Sequence, residues 1–214
     1  KSVAASGGAD AIKAIKSIHM TGTFEMPAQS IGGSVEMYQA RPSLMRMTIT
    51  IQGIGQADQG SDGKIGWSVD PMSGPSLLTG KALAEAKAES LFDGQLFGPD
   101  YVKSATTLEK TTFGNRAAYK VKLVTTFDTE RTLYIDAETY YVIGSEAMSE
   151  TPMGTIATTT STGDYKKFGA LMQPTTIVQA AMGVEQIVHV SAVEYDTVQA
   201  SVFDPPPAVK ALIK

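Results

Sequence analysis

Cysteine is absent from the 214 residues. That one omission removes structural disulfides, thiolate metal sites and thiol nucleophiles. Long hydrophobic runs are missing too, since no stretch approaches the roughly 18 apolar residues that a membrane-spanning helix needs. Positive charge is not in excess: 18 Lys and Arg face 22 Asp and Glu, for a formal net charge of −4. A nucleic-acid surface needs a concentrated surplus of basic side chains, and here they are scattered. Imidazoles are scarce. His19 and His189 lie in separate strand-like stretches, and no G-x-S-x-G elbow occurs. Neither a nucleophile paired with a base nor a cluster of metal ligands emerges from these residues. The densest acidic group, Asp128, Glu130, Asp136 and Glu138, flanks turns without the spacing of a calcium loop and reads as a solvated rim. The sequence predicts no enzyme, no catalytic residue, no metal site, no cofactor and no nucleic-acid partner.

What is present is an ordinary globular composition, 43% apolar and 19% charged, in a length that suits one domain over residues 1–214. The opening Lys1-Ser2-Val3-Ala4-Ala5-Ser6 fits the mature end left by a removed signal peptide, and equally a chain trimmed for expression. Ser6 is placed to cap a short helix from Gly8 to Ser17, with Ala11, Ile12, Ile15 and Ile18 as its apolar stripe. From Ile18 the period changes to two. Met20, Gly22, Phe24 and Met26 alternate with Thr21, Thr23 and Glu25; a Gly32-Gly33 turn follows; then Val35, Met37 and Gln39 alternate with Glu36 and Tyr38. Beyond Arg41-Pro42, Met45, Met47, Ile49 and Ile51 share one face of a strand, while Arg46, Thr48 and Thr50 share the other.

The stretch from Gly60 to Leu78 joins two kinds of structure. Asp62-Gly63 is a tight turn, and the strand after it carries Trp67, the single tryptophan, on the same face as Ile65 and Val69. Pro71 to Pro75 then reads as a loop with Gly74 as a hinge, leading to a helix from Thr79 to Gly98 that places Ala84, Ala88, Leu91 and Gln95 on one side with Phe92 beside them. Seven more strands follow, at 105–113, 117–126, 130–136, 140–148, 155–167, 171–182 and 184–195, before a proline-rich tail and a frayed helical turn over Ala208 to Lys214. The total is about eleven strands and two helices. An antiparallel sheet of that size, mainly β within the α+β class, curls strongly, and its helices cover the concave face. The methionine-rich lining then either encloses a cavity or fills a core, because methionine suits both.

Gly7-Gly8-Ala9-Asp10-Ala11 running to Gly22, Asp62-Gly63-Lys64-Ile65-Gly66-Trp67, and Asp70-Pro71-Met72-Ser73-Gly74-Pro75 follow one another in a familiar order. Leu133-Tyr134-Ile135-Asp136-Ala137-Glu138-Thr139 and Gly163-Asp164-Tyr165-Lys166-Lys167 through Leu171-Met172-Gln173-Pro174 continue it. Together, over nearly the whole chain, they resemble the outer-membrane lipoprotein-sorting superfamily, the LolA/LolB-like proteins. The resemblance implies a half-barrel closed by helices around a hydrophobic cavity that accepts acyl chains. The best-known members ferry lipoproteins across the periplasm, and relatives act as envelope sensors. The expected protein is thus periplasmic or secreted and binds a lipid, an acyl chain or a lipoprotein, with peripheral contact with envelope components. Its ligand-binding residues are expected to be Met45, Met47, Ile49, Trp67, Val69, Met72, Leu78, Leu91 and Phe92. The alternative is a protein-interaction or sensing module of the envelope without a small-molecule ligand, which an exposed apolar patch and partner-dependent capture would distinguish.

Overall fold

Period-two alternation becomes pairing wherever a short turn lets one stretch fold back on the last. The computed structural model describes residues 1–151 and 154–213. Two short helices, α1 (Ser2–Ala5) and α2 (Ala9–Ala14), precede β1 (Ser17–Met26), β2 (Ile31–Ala40), β3 (Leu44–Ile51), β4 (Gly55–Ser61), β5 (Gly66–Asp70) and β6 (Gly74–Leu77). Helix α3 (Gly80–Ser90) runs into a 3-10 turn at Phe92–Leu96. Then come β7 (Val102–Phe113), β8 (Arg116–Thr125), β9 (Glu130–Asp136), β10 (Val142–Thr151) and β11 (Gly154–Gly163). The small strands β12 (Lys166–Phe168) and β13 (Leu171–Gln173) lead to β14 (Thr176–Ala181) and β15 (Val184–Tyr195), followed by a 3-10 turn at Ala200–Phe203 and helix α4 (Pro207–Lys210).

Thirteen strands form one open antiparallel sheet in the order β6-β5-β4-β3-β2-β1-β15-β14-β11-β10-β9-β8-β7, and β12 pairs with β13 separately. The expected count of about eleven falls short for local reasons. Asp70 Oδ1 accepts hydrogen bonds from the Met72 and Ser73 amides at 2.9 and 2.8 Å, so Pro71–Ser73 is a hairpin turn and the supposed loop beyond it is β6. Pro75 is tolerated there because β6 is an edge strand. Pro174, which has no N–H to give a ladder, divides the expected 171–182 strand into β13 and β14. The sheet is joined in the middle by its most distant pair in sequence, β1 with β15, and Asp196 Oδ1 accepts from the Lys16 and Ser17 amides at 2.6 and 3.2 Å beside that seam.

Helix boundaries also move. Gly8, not Ser6, stands at the N-cap of α2, and Ser6 instead offers its carbonyl to the Met172 amide at 3.1 Å. Gly7 is required at that crossing, where φ is +123° and an added Cβ would lie 2.6 Å from the Ala170 carbonyl oxygen. Gly32 and Gly33 lie inside β2, and the turn before them is Pro27–Ser30. The expected 79–98 helix breaks at Leu91, whose backbone is extended. The last helical turn is docked rather than frayed, with Val209 fully buried; Lys214 lies outside the described residues.

Register decides which side chains share a face. Met20 pairs with Met37, Met37 with Met47, and Val35 with Ile49. Phe24 pairs with Val188 and Val188 with Ile177, extending the apolar row across the β1–β15 seam. Helix α2 and the Phe92 turn lie over this row, where Ile12, Ile15, Ile18, Phe92 and Leu171 form a buried cluster. On the opposite face His19, Tyr38, Arg46, Gly60 and Trp67 succeed one another strand by strand. Burial, then a hydrogen bond to the Glu36 carboxylate, pushes the Tyr38 phenol up to about 12. The indole N–H of Trp67 donates to Asp58 Oδ1 at 2.9 Å, Asp58 Oδ2 accepts from Arg46 Nε at 2.7 Å, and Arg46 Nη1 donates to the Val202 carbonyl at 2.9 Å. That chain of bonds ties the carboxyl-terminal segment to the far face. Gly60 makes room for the indole, because a Cβ there would stand 2.3 Å from Trp67 Cζ2.

One member of the expected acidic rim is not solvated. Asp136 is 3% exposed, wrapped by its own turn and by Arg116, whose Nε lies 2.7 Å from Oδ2. Burial alone would raise its pKa, but hydrogen bonds from the Thr139 amide and hydroxyl and the Glu138 amide, with the Arg116 charge, hold it below the ordinary carboxylate value. A depressed folded-state pKa contributes stability that is full above the unfolded value of about 4 and is lost as pH falls through the folded value. Asp136→Asn is expected to cost roughly 2 kcal/mol near neutrality. Urea midpoints of the two proteins should converge as pH is lowered towards about 2; a difference that stays constant would remove the carboxylate's charge from this account.

Candidate functional site

The apolar row is not fully covered. A recess of about 230 Å³ lies over the central strands, walled by Met20 and Phe24 of β1, Met37 of β2, Met47 and Ile49 of β3 and Val188 of β15. Thr21, Thr160, Gln179 and Gln186 are the polar residues among its walls. Methionine gives such a wall adaptable shape, since its unbranched thioether changes rotamer cheaply. Met37 also borders a second recess of about 350 Å³ beneath α3, with Met45, Leu91, Phe92 and Tyr101. Glu89 and Arg131 are its two charged members. A third space of about 490 Å³ lies on the β7–β9 wing, bounded by Phe97, Val121, Leu123, Leu133 and Ile135. On that wing Val121 pairs with Leu133 and Tyr119 with Ile135, so the third space is floored by one face of the sheet.

The cover over this face is held by Arg41. Its Nε donates to the Ile15 carbonyl at 2.7 Å, Nη2 donates to the Ile12 carbonyl at 3.0 Å, Nη1 pairs with Asp93, and the guanidinium stands 4.7 Å from the Phe92 ring centroid. One planar side chain at the end of β2 thereby fixes the carboxyl end of α2 and the 3-10 turn after α3. Beneath α3, Arg131 Nη2 approaches Glu89 Oε1 to 4.0 Å. Burial raises the Glu89 pKa against the opposing effect of Arg131, and burial raises that of Tyr101 nearby. Glu89 nonetheless keeps 51% of its side-chain surface.

Of the nine residues expected to bind ligand, Met45, Met47, Ile49, Leu91 and Phe92 are gathered around the first two recesses. Leu78 packs above Gly66 beside Leu83. Trp67 is on the opposite face, fully buried. Val69 pairs with Asp58 on that face and borders a slot of about 80 Å³ with Met47 and Ile49. Met72 is 89% exposed at the β5–β6 tip, carried away from the site by the Asp70 turn. The Pro71–Pro75 segment is consequently a hairpin, and no joint between sheet and helix. Met20, Phe24, Met37 and Val188 are absent from the residues expected to bind, though the alternation that singled out β3 marks them equally. Arg41 reads in sequence only as the residue before a proline, and Arg131 only as one charge among several; their partners Asp93 and Glu89 are too distant in sequence for any local signal.

The chain matches no sequence-family profile and no curated protein. In three dimensions it is similar to a LolA superfamily protein from Nitrosomonas europaea, at 14% identity and a TM-score of 0.59 over 89% of this chain and 90% of that one. It is similar also to an outer-membrane lipoprotein-sorting protein domain from Vibrio parahaemolyticus, at 12% identity and a TM-score of 0.56 over 91% and 94%. A DUF1329 family protein from Desulfovibrio piger matches at 8% identity and a TM-score of 0.62 over 91% and 92%. The large, open antiparallel sheet with few helices is a LolA-like fold.

Removing the Arg41 side chain leaves two helical carbonyls and Asp93 without their partner. Arg41→Ala is expected to cost roughly 2–3 kcal/mol, less than a fully buried pair because Asp93 is partly solvated. Amide exchange at Ile12 to Ile15 should quicken more than in β8 or β9; equal change throughout would deny Arg41 its special hold on the cover.

Proposed function

We propose that this LolA-like fold is a binding protein of the cell envelope, one domain over residues 1–214, whose methionine-rich face receives an apolar chain such as a lipid acyl group or the acyl part of a lipoprotein. The observation that carries it is the set of recesses along one apolar face, floored by Met20, Met37, Met45 and Met47. Uptake and release then need no chemical step. Burial of each CH₂ contributes about 0.8 kcal/mol, so a chain of roughly ten carbons retains several kcal/mol after ordering costs.

A curled sheet is part of the proposal. Helix α3 touches β3, β4 and β5 on one wing and β10 on the other, and Lys81 Nζ donates to the Met148 carbonyl at 3.1 Å. Laid flat, β3 and β10 would stand six strand spacings apart, roughly 29 Å, whereas the 11 residues of α3 make a rod of about 16 Å. These contacts support a half-barrel wrapped round α3, with the recesses on its concave side. No helix among the described residues is long and apolar enough to cross a membrane, and contact with envelope components is peripheral in this proposal.

Protein stripped of bound lipid is expected to bind the neutral probe N-phenyl-1-naphthylamine saturably at micromolar concentration, and Met47→Asp should weaken binding at least about tenfold with little change in urea midpoint. Trp67, on the far face, should keep its emission. Absence of saturable binding, or a Met47→Asp protein that binds as well as its parent, overturns the carrier function.

A further inference from the structure

Arg131 is a cation in an apolar row. It pairs across the strands with Leu123 and Ala147, and in the recess under α3 it meets Met37, Met45 and Tyr101. Its Nε is buried and has no hydrogen-bond partner, and Nη2 is 4.0 Å from Glu89 Oε1, beyond hydrogen-bond reach. The Nε–Nη2 edge of the guanidinium therefore has no protein acceptor within hydrogen-bond distance and only the long Glu89 contact beside it. A guanidinium keeps its proton at any ordinary pH, so this buried donor can be satisfied only by an acceptor. On its other side Arg131 borders a polar recess with Lys81, Glu130 and Glu146. It stands where apolar space gives way to polar space.

We propose that Arg131 anchors the headgroup of the ligand, and that the ligand is a single-chain amphiphile ending in a carboxylate, of the fatty-acid class. The inference rests on the apolar-carrier function above and adds the chemistry at the polar end of the chain. A planar carboxylate accepts two parallel hydrogen bonds from the Nε–Nη2 edge, the geometry a guanidinium fork favours. One guanidinium with Glu89 beside it suits a single negative charge; a dianionic phosphate would set two charges against that carboxylate. Glu89 competes for the same guanidinium, which makes the site exchangeable: the ligand displaces a weak internal partner and leaves it behind on release.

Displacement of the neutral probe by dodecanoate and by dodecanol, both below their aggregation limits at neutral pH, tests this. The unaltered protein is expected to prefer the acid at least about tenfold. Arg131→Gln should reduce that preference to about twofold or less by weakening the acid far more than the alcohol, Arg131→Lys should restore only part of it, and Glu89→Gln should tighten the acid. Equal binding of acid and alcohol by the unaltered protein overturns the inference without recourse to any variant, and leaves the carrier function standing. So does a preference that survives in Arg131→Gln. If neither amphiphile displaces the probe because no apolar ligand binds at all, the carrier function fails and the headgroup anchor with it.

Discussion

A sheet of thirteen strands, with a continuous apolar row along its near face, needs more cover there than the described helices supply. Twelve strand spacings amount to roughly 58 Å of width, and the longest helix among the described residues is the 11-residue α3, a rod of about 16 Å. The hydrophobic effect requires that the remaining apolar surface be removed from water. Three devices meet that requirement together: short helical pieces pinned over the centre, contact between α3 and both wings, and recesses left where neither reaches. The recesses are a consequence of sheet size against cover size, and methionine is the residue that lets such surface be filled or emptied without rebuilding the walls.

The two faces solve their burial differently, and three arginines mark the difference. On the far face Arg46 sits in a closed chain of bonds from Trp67 through Asp58 to Val202, with each donor aimed at an acceptor. Such a satisfied network rigidifies the packing it belongs to. On the near face Arg41 is also fully engaged, but its acceptors lie on separate elements, so it acts as a clamp between cover and sheet. Arg131 shares the near face and lacks that engagement. Its Nε is one of four buried polar atoms left unpaired among the described residues, and the one of them that borders an apolar recess as a permanent cation.

Much of the fold was legible in alternation alone. Ser17 to Met26, Leu44 to Ile51 and Val184 to Tyr195 appear as strands close to their expected bounds, and Met45, Met47 and Ile49 do share a face opposite Arg46 and Thr48. What alternation could not supply is which side of the sheet a given strand's apolar face takes. Trp67 and Val69 do alternate with Gly66 and Ser68, yet the register from β3 through β4 turns them away from Met47. Both faces of this sheet carry buried clusters, so apolar periodicity marks burial without naming the side. The Asp70 turn hid β6 for a related reason: proline and glycine signal a break, and only the backbone bonds to the Asp70 carboxylate reveal a hairpin.

The candidate site was half legible, and the division follows the physics of its parts. Its apolar walls repeat at period two along single strands, so Met45 and Met47 announced themselves and Met20 and Met37 could have. Its polar parts arise where strands and helices far apart in sequence meet, as Arg41 does with Asp93 and Arg131 with Glu89. Walls of methionine and aliphatic side chains discriminate weakly among apolar ligands, since a methylene more or less changes affinity little. A buried donor discriminates strongly, because a ligand that cannot satisfy it leaves the desolvation cost in place. In the proposed carrier, ligand choice would therefore be set by its least periodic residues.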